Sequence, residues 1–419
     1  MEKQRRSRRD LLQNILIALL ALSAAALFAQ TQFYGLDLAA GYGAGAAGTE
    51  PPAAPAAALS APVRTAVTGD YGRHGGITLT TADGGFADPL GRLLLEALGS
   101  ARDYAPCAPG DFLRALEGPS LYYDFLEPLP LSVLAGLLGE EDASFPDLSA
   151  RRLLLVPRQD GAGLFLWDGG EDCFQAATAV SAGSLEQVIG RYELGNASFA
   201  MDGGPGEALE PCSLLPAQPP ELAAYTLGSP LAGGTDWLLS ALGFSLQGRT
   251  RHTESNGTEL IMDGERTLRI RPDGAVHYQS GNEPGLRVEA AGELPTDWEA
   301  ARGAASLLEG LIASVSGDAR LWLSGLRRSG DVTVLRFGYQ LEGVPVRFQD
   351  GGAAAEITLT GAAVTSLSLR FRQYGPAEGS SLLLPLPQAL AVAAASPGKE
   401  LSIGYVERDG ECRACWLCD

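Results

Sequence analysis

The segment that most constrains this chain lies at its start. Arg5, Arg6, Arg8 and Arg9 form a basic cluster, and an apolar run follows at once from Leu11 to Phe28. Crossing the hydrocarbon of a bilayer takes about 20 apolar residues. With Ala29 the run approaches that length, and Gln13 and Asn14, near its basic end, are its only strongly polar side chains. Gln30, Thr31 and Gln32 mark an exit, and Phe33 and Tyr34 are aromatics suited to the membrane interface. The pattern predicts a transmembrane helix over residues 11–29. Residues 1–10 form a cytoplasmic tail, because a positive flank stays on the cytoplasmic side. The expected location is therefore the cell membrane, crossed once, with an extracytoplasmic body. A cleaved signal peptide has the same basic and apolar regions. Its small-residue site would be Ala24-Ala25-Ala26, which sits inside the run; cleavage after Ala29 would put bulky Leu27 at the minus-three position. Both readings place the bulk of the chain outside.

Charge bears on partners. The chain carries −19, and its first ten residues hold five basic and two acidic side chains, which leaves −22 on the rest. So acidic a body repels nucleic acid and anionic head groups at long range. Nucleic acid is not an expected partner; the bilayer is, through the N-terminal helix. The six cysteines are Cys107, Cys173, Cys212, Cys412, Cys415 and Cys418. An outside location permits disulfides, but spacing alone assigns no pair.

Residues 30–62 are rich in Ala, Gly and Pro and nearly free of charge, which reads as a linker. The length beyond it suggests two or more folded units, expected at 63–225 and 226–419, the second divisible into 226–292 and 293–419. In the first unit, Leu121-Tyr122-Tyr123-Asp124-Phe125 reads as a strand and Leu129 to Leu138 has helical spacing. Strands at Leu153–Val156 and Leu164–Trp167 flank the turn residues Gln159-Asp160-Gly161. In the second, Leu268 to Arg271 alternates, Pro272-Asp273-Gly274 turns, and Val276 and Tyr278 resume one face. Thr296 to Val315 is the longest helix expected, with Ala301, Ala304, Ala305, Leu308 and Ile312 at helical spacing. Leu335, Phe337, Tyr339 and Leu341 then share a strand face. Helix followed by antiparallel hairpins begins near Asp236 and again near Thr296, which reads as an internal duplication. The fold class is α+β, with antiparallel sheets each packed by helices.

Chemical motifs are sparse. Gly43-Ala-Gly45-Ala-Ala-Gly48 matches G-x-G-x-x-G but lies in the linker, without the strand and helix a dinucleotide loop needs. Cys412, Cys415 and Cys418 are regularly spaced, yet a metal site usually takes four ligands and no histidine is near. On a strand they alternate faces, so tail disulfides or free thiols are the expectation. His277 falls on the polar side of its hairpin, and His74 and His252 lack a recognisable nucleophile. The acidic groups Glu140-Glu141-Asp142 and Glu171-Asp172 sit beside turn residues, where solvated charge is the default. No catalytic, metal or cofactor set is expected, and the chain does not read as an enzyme.

Several stretches resemble the YycH/YycI family of Gram-positive bacteria. They are the tail and anchor from Arg8 to Phe28, and Tyr122-Tyr123-Asp124-Phe125 with Pro128-Leu129-Pro130-Leu131. Ala241-Leu242-Gly243-Phe244, Asn256-Gly257-Thr258, Thr267 to Ile270 and Asp273 to Tyr278 continue the likeness. Phe337 to Val346, Leu401 to Tyr405 and Trp416 complete it. Ala414 stands where the resemblance leads one to expect a proline before the tryptophan, and the linker is long for the pattern. The resemblance implies a membrane-anchored regulator of the YycG (WalK) sensor histidine kinase, which controls cell-wall metabolism. It implies that kinase and a paralogous regulator as partners, contacted in part through the membrane helix. Asn14 and the small residues Ala21, Ser23, Ala24, Ala25 and Ala26 are then the expected helix-contact positions, since small side chains let helices approach closely. The alternatives from other classes are a cell-envelope enzyme or a ligand-binding protein acting at peptidoglycan.

Overall fold

Long antiparallel sheets follow from the alternation of the sequence. In the computed structural model, the described residues are 59, 61–81, 89–140, 145–245, 249–282 and 285–419. The expected helix at 11–29 and most of the linker lie outside them. Among the described residues no helix is long and apolar enough to cross a membrane. Leu59 and Ala61, at the end of the expected linker, are buried and lead into the first strand.

The first sheet has nine strands: β1 (Pro62–Thr68), β2 (His74–Thr81), β3 (Arg102–Pro106), β4 (Ser120–Pro130), β5 (Ser149–Arg158), β6 (Gly161–Trp167), β7 (Cys173–Ala177), β8 (Leu194–Phe199) and β9 (Leu214–Pro216). Their order is β3-β7-β6-β5-β4-β1-β2-β8-β9, with every pairing antiparallel. Helices α1 (Leu90–Ser100), α2 (Pro109–Leu116), α3 (Leu131–Leu137) and α4 (Ala182–Ile189) accompany it. β4 shows why both faces are covered. Leu121, Tyr123 and Phe125 join the main core with α1, α3 and α4, while Tyr122 packs on the opposite face with Phe112 and Leu116 of α2.

The second sheet has thirteen strands. They are β10 (Leu222–Gly228), β11 (Thr250–Thr253), β12 (Glu259–Asp263), β13 (Arg266–Ile270), β14 (Ala275–Gln279), β15 (Arg320–Ser329), β16 (Val332–Leu341), β17 (Val344–Arg347), β18 (Ala355–Thr360), β19 (Ala363–Arg370), β20 (Gln373–Ser381), β21 (Leu401–Arg408) and β22 (Glu411–Cys418). Helices α5 (Asp236–Ala241), α6 (Asp297–Leu311) and α7 (Leu386–Ala393) interrupt them. The meander β11-β12-β13-β14 follows α5, and a second antiparallel run, β15-β16-β18-β19, follows α6. The two runs meet through their last strands, β14 against β19. One pairing is parallel, β17 with β21, and it carries the sheet on to β22, β10 and β20.

Residues 55–419 form one compact unit, within which the change of sheet falls between Pro216 and Leu222. α6 starts where its sequence says it should. Thr296 accepts from the Glu299 amide, and Glu299 reaches back to the Thr296 amide at 2.8 Å, so two orphan donors of the first turn are satisfied. α6 also ties the two halves together. Its Trp298 packs against Gly136 of α3, where a Cβ would fall 2.3 Å from the indole ring. Only glycine permits that approach without movement of one helix.

Candidate functional site

The tail cysteines lie on β22. Cys412 and Cys418 occupy one face and Cys415 the other, and all three are free thiols. Residues three apart on a strand are roughly 10 Å from each other, beyond the roughly 7 Å limit for bridging. Burial pushes the Cys412 thiol up to about 12, helped by Glu407, and raises Cys415 as well. The anchor positions Asn14, Ala21, Ser23, Ala24, Ala25 and Ala26 lie outside the described residues, as do Glu141 and Asp142. Among the described residues no group of three or more His, Cys, Asp or Glu is placed to hold a metal ion.

The histidines divide. His252 is exposed on β11. His74 is buried in β2, where its Nδ1 is 2.9 Å from Thr68 Oγ1 and its Nε2 is 3.2 Å from Asp202 Oδ1. Thr68 is fully buried, so this line of groups holds a loop and presents no nucleophile. His277 lies on the open face of the second sheet with Nδ1 2.9 Å from Ser368 Oγ. It belongs to a row running straight across five strands: Arg269, His277, Ser368, Glu356 and Arg336 are register partners in turn. A groove of about 770 Å³ runs along that face, with Arg271 and Arg370 also on its walls.

The site the sequence did not single out is buried. Arg64 of β1, Asp124 of β4 and Arg152 of β5 are also register partners across adjacent strands, and Trp167 of β6 continues the row. Asp124 is 1% exposed. Its Oδ1 accepts from Arg151 Nε at 2.8 Å and its Oδ2 from Arg151 Nη2 at 3.0 Å, a two-pronged pair. Oδ1 also accepts from the Leu126 amide at 2.8 Å. Leu126 has a positive φ of 69°, and the register of β4 against β5 shifts just there. Asp124 therefore fixes the irregularity that brings Arg151 round to its own side. Arg152 donates to Glu210 at 2.6 and 3.0 Å and stacks its guanidinium 5.0 Å from the centre of the Trp167 ring.

Glu400 joins this cluster from the second sheet, immediately before β21. It accepts from Arg151 Nη2 at 2.6 Å and pairs with Arg64 and Arg152. Three arginines thus meet three carboxylates, and the cluster is neutral as a set. Burial alone would raise Asp124, but Arg151, Arg152 and Arg64 outweigh it and hold its carboxyl far below the usual range. Glu400 is likewise lowered: burial and the neighbouring Asp124 push it up, and the three arginines pull it further down. Burial lifts Glu210 above its ordinary value despite Arg152. Burial works against the charge of Arg151 and Arg152, but Asp124 and Glu400 hold Arg151 protonated, and Asp124 helps to hold Arg152 so. Every carboxylate here is engaged by a guanidinium, so the arrangement clamps two sheets; it does not shuttle protons.

These features define an α+β protein whose two antiparallel-rich sheets are locked by a buried, charge-balanced junction. Among solved structures the chain is similar to YycH from Bacillus subtilis, with a TM-score of 0.54 and 12% identity, covering 89% of this chain and 96% of that one. At that identity the likeness shows a YycH-like fold. No protein-family model matches the chain, and no curated protein matches it.

Proposed function

We propose that the protein is a membrane-anchored, non-enzymatic accessory regulator of a two-component sensor histidine kinase that controls cell-wall metabolism. The observation that carries this reading is the YycH-like fold spanning nearly the whole of both chains, behind a basic tail and apolar run at the N-terminus. The body lies outside the cell. The anchor shares the bilayer with the kinase, which raises the effective concentration of one helix for the other. Ala21, Ser23, Ala24, Ala25 and Ala26 give a close-packing face, and Asn14 offers a hydrogen bond across the pair. The locked junction suits this role, since a body that moves as one piece can pass a shift at one end to the other.

The test is a membrane pull-down of the full-length protein from its host, beside a version carrying an unrelated anchor and one with Ala21→Leu and Ala25→Leu. Recovery of a sensor kinase by the native anchor alone supports regulation through the bilayer. Recovery by both anchors moves the contact to the body. Recovery by neither removes the reading.

One observation favours a second reading, a ligand-binding protein at the cell envelope. The groove on the second sheet carries Arg269, which has no ion-pair partner among the described residues, beside His277 and Arg370. Binding of wall fragments that is lost in Arg269→Ala would favour it.

A further inference from the structure

Two of the six cysteines meet far from the tail. Cys107 directly follows β3 and Cys173 opens β7. The register Ala105 to Gln175 and Pro106 to Phe174 sets Cys107 opposite Cys173, and the Cys107 amide donates to the Cys173 carbonyl at 2.8 Å. The two sulfurs are 2.8 Å apart. Opposed residues on antiparallel strands lie about 4.5–5.5 Å apart at Cα, inside the window of about 4.4–6.8 Å that a disulfide spans. Bridging therefore asks for side-chain adjustment and no movement of strands.

The surroundings give the bridge a purpose. β3 is the edge strand of the first sheet, and four of its five residues are exposed, so little apolar burial holds it in place. Cys173 is buried in the cluster of Phe112 and Trp167, whereas Cys107 is only half-buried and open to a reagent. The cysteines are 66 residues apart, and the segment between them contains α2, β4, α3, β5 and β6. Closing so long a loop restricts the unfolded chain.

We propose that Cys107 and Cys173 form a structural disulfide by exchange with an external disulfide of the glutathione class. The Cys107 thiolate attacks one sulfur of that donor, a mixed disulfide forms, and the first donor thiol leaves. The Cys173 sulfur then attacks Cys107 and expels the second. The protein loses two protons and two electrons, and the donor disulfide takes them up to become two thiols. The bond staples the edge strand. Its formation in the cell rests on the outward placement proposed above.

The experiment equilibrates the full chain in detergent with oxidised glutathione, blocks remaining thiols by alkylation, and maps peptides by mass spectrometry without reduction. The expected result is a linked peptide pair joining Cys107 to Cys173, with Cys412, Cys415 and Cys418 alkylated. Tm should rise by about 5 °C over the reduced protein, and Cys107→Ser should abolish that rise. Alkylation of both cysteines at equilibrium, or bridges only among the other four, overturns the proposal. A bridge made in detergent but absent from protein alkylated in host membranes upholds the pair and counts against the outward placement.

Discussion

Two polar rows cross this molecule, one in each sheet. In the first sheet Arg64, Asp124, Arg152 and Trp167 are successive register partners, sealed beneath the loops that carry Glu210 and Glu400. In the second sheet Arg269, His277, Ser368, Glu356 and Arg336 are laid out in the same way on an open face. The difference is water. Glu356 and Arg336 are 39% and 56% exposed at their side chains, while Asp124 and Arg152 are at 1% and 2%. An exposed pair trades one well-solvated state for another and gains little. A buried pair has already lost its hydration, so removing one member leaves the other stranded. Equal geometry therefore implies a structural clamp in one sheet and a surface free to bind in the other.

The sharpest way to break this contrast is at Asp124. Asp124→Asn keeps the shape but removes the carboxylate that Arg151 grips by two prongs, leaves that arginine only Glu400, and unbalances the buried cluster. Unfolding in urea should show a loss of about 3–5 kcal/mol. A loss below 1 kcal/mol would place the two rows on the same footing.

Acid probes the same site without mutation. Asp124 and Glu400 hold lowered values in the native state. The unfolded chain therefore takes up protons first, near its ordinary carboxylate values of roughly 4. Their stabilisation is complete above that range and is lost as pH falls through the lower native values. Glu210 and Glu127 are raised by burial and work the other way, so protonating them relieves part of the loss. Tm is expected to fall as pH drops below about 4, towards the lowered native values, and less steeply in Asp124→Asn. The smallest effect belongs to the open row. Glu356→Ala removes the partner of Arg336, and urea unfolding should shift by no more than about 0.5 kcal/mol.

Much of the fold was legible in local pattern. The alternation before and after Pro272-Asp273-Gly274 became β13 and β14, and Gln159-Asp160 became the turn between β5 and β6, with Gly161 opening β6. The helix expected from Thr296 became α6, with Thr296 as its N-terminal cap. These signals are short-range, carried by side chains a few positions apart. The second sheet begins at Leu222, upstream of the expected boundary at 225, because β10 is recruited by β20 and β22, whose sequences lie far away. Its one parallel pairing, β17 with β21, was invisible for the same reason.

The clamp was hidden more deeply. Tyr122-Tyr123-Asp124-Phe125 stood out as a strand, and an aspartate inside so apolar a run was the available clue. Its partners Arg64, Arg151 and Glu400 come from other elements, and adjacent Arg151 and Arg152 would ordinarily face opposite sides of a strand. The irregularity at Leu126 removes that expectation, and no local pattern announces it.

The junction's central role is tested most directly by hydrogen exchange on Glu400→Gln. Glu400 is the cluster's one member from the second sheet, so losing its charge should loosen both sides at once. Faster amide exchange in β4 and β5 together with β21 and β22 is the expected result. Faster exchange confined to the residues around position 400, with β4 and β5 unchanged, would show that the two sheets do not depend on this clamp.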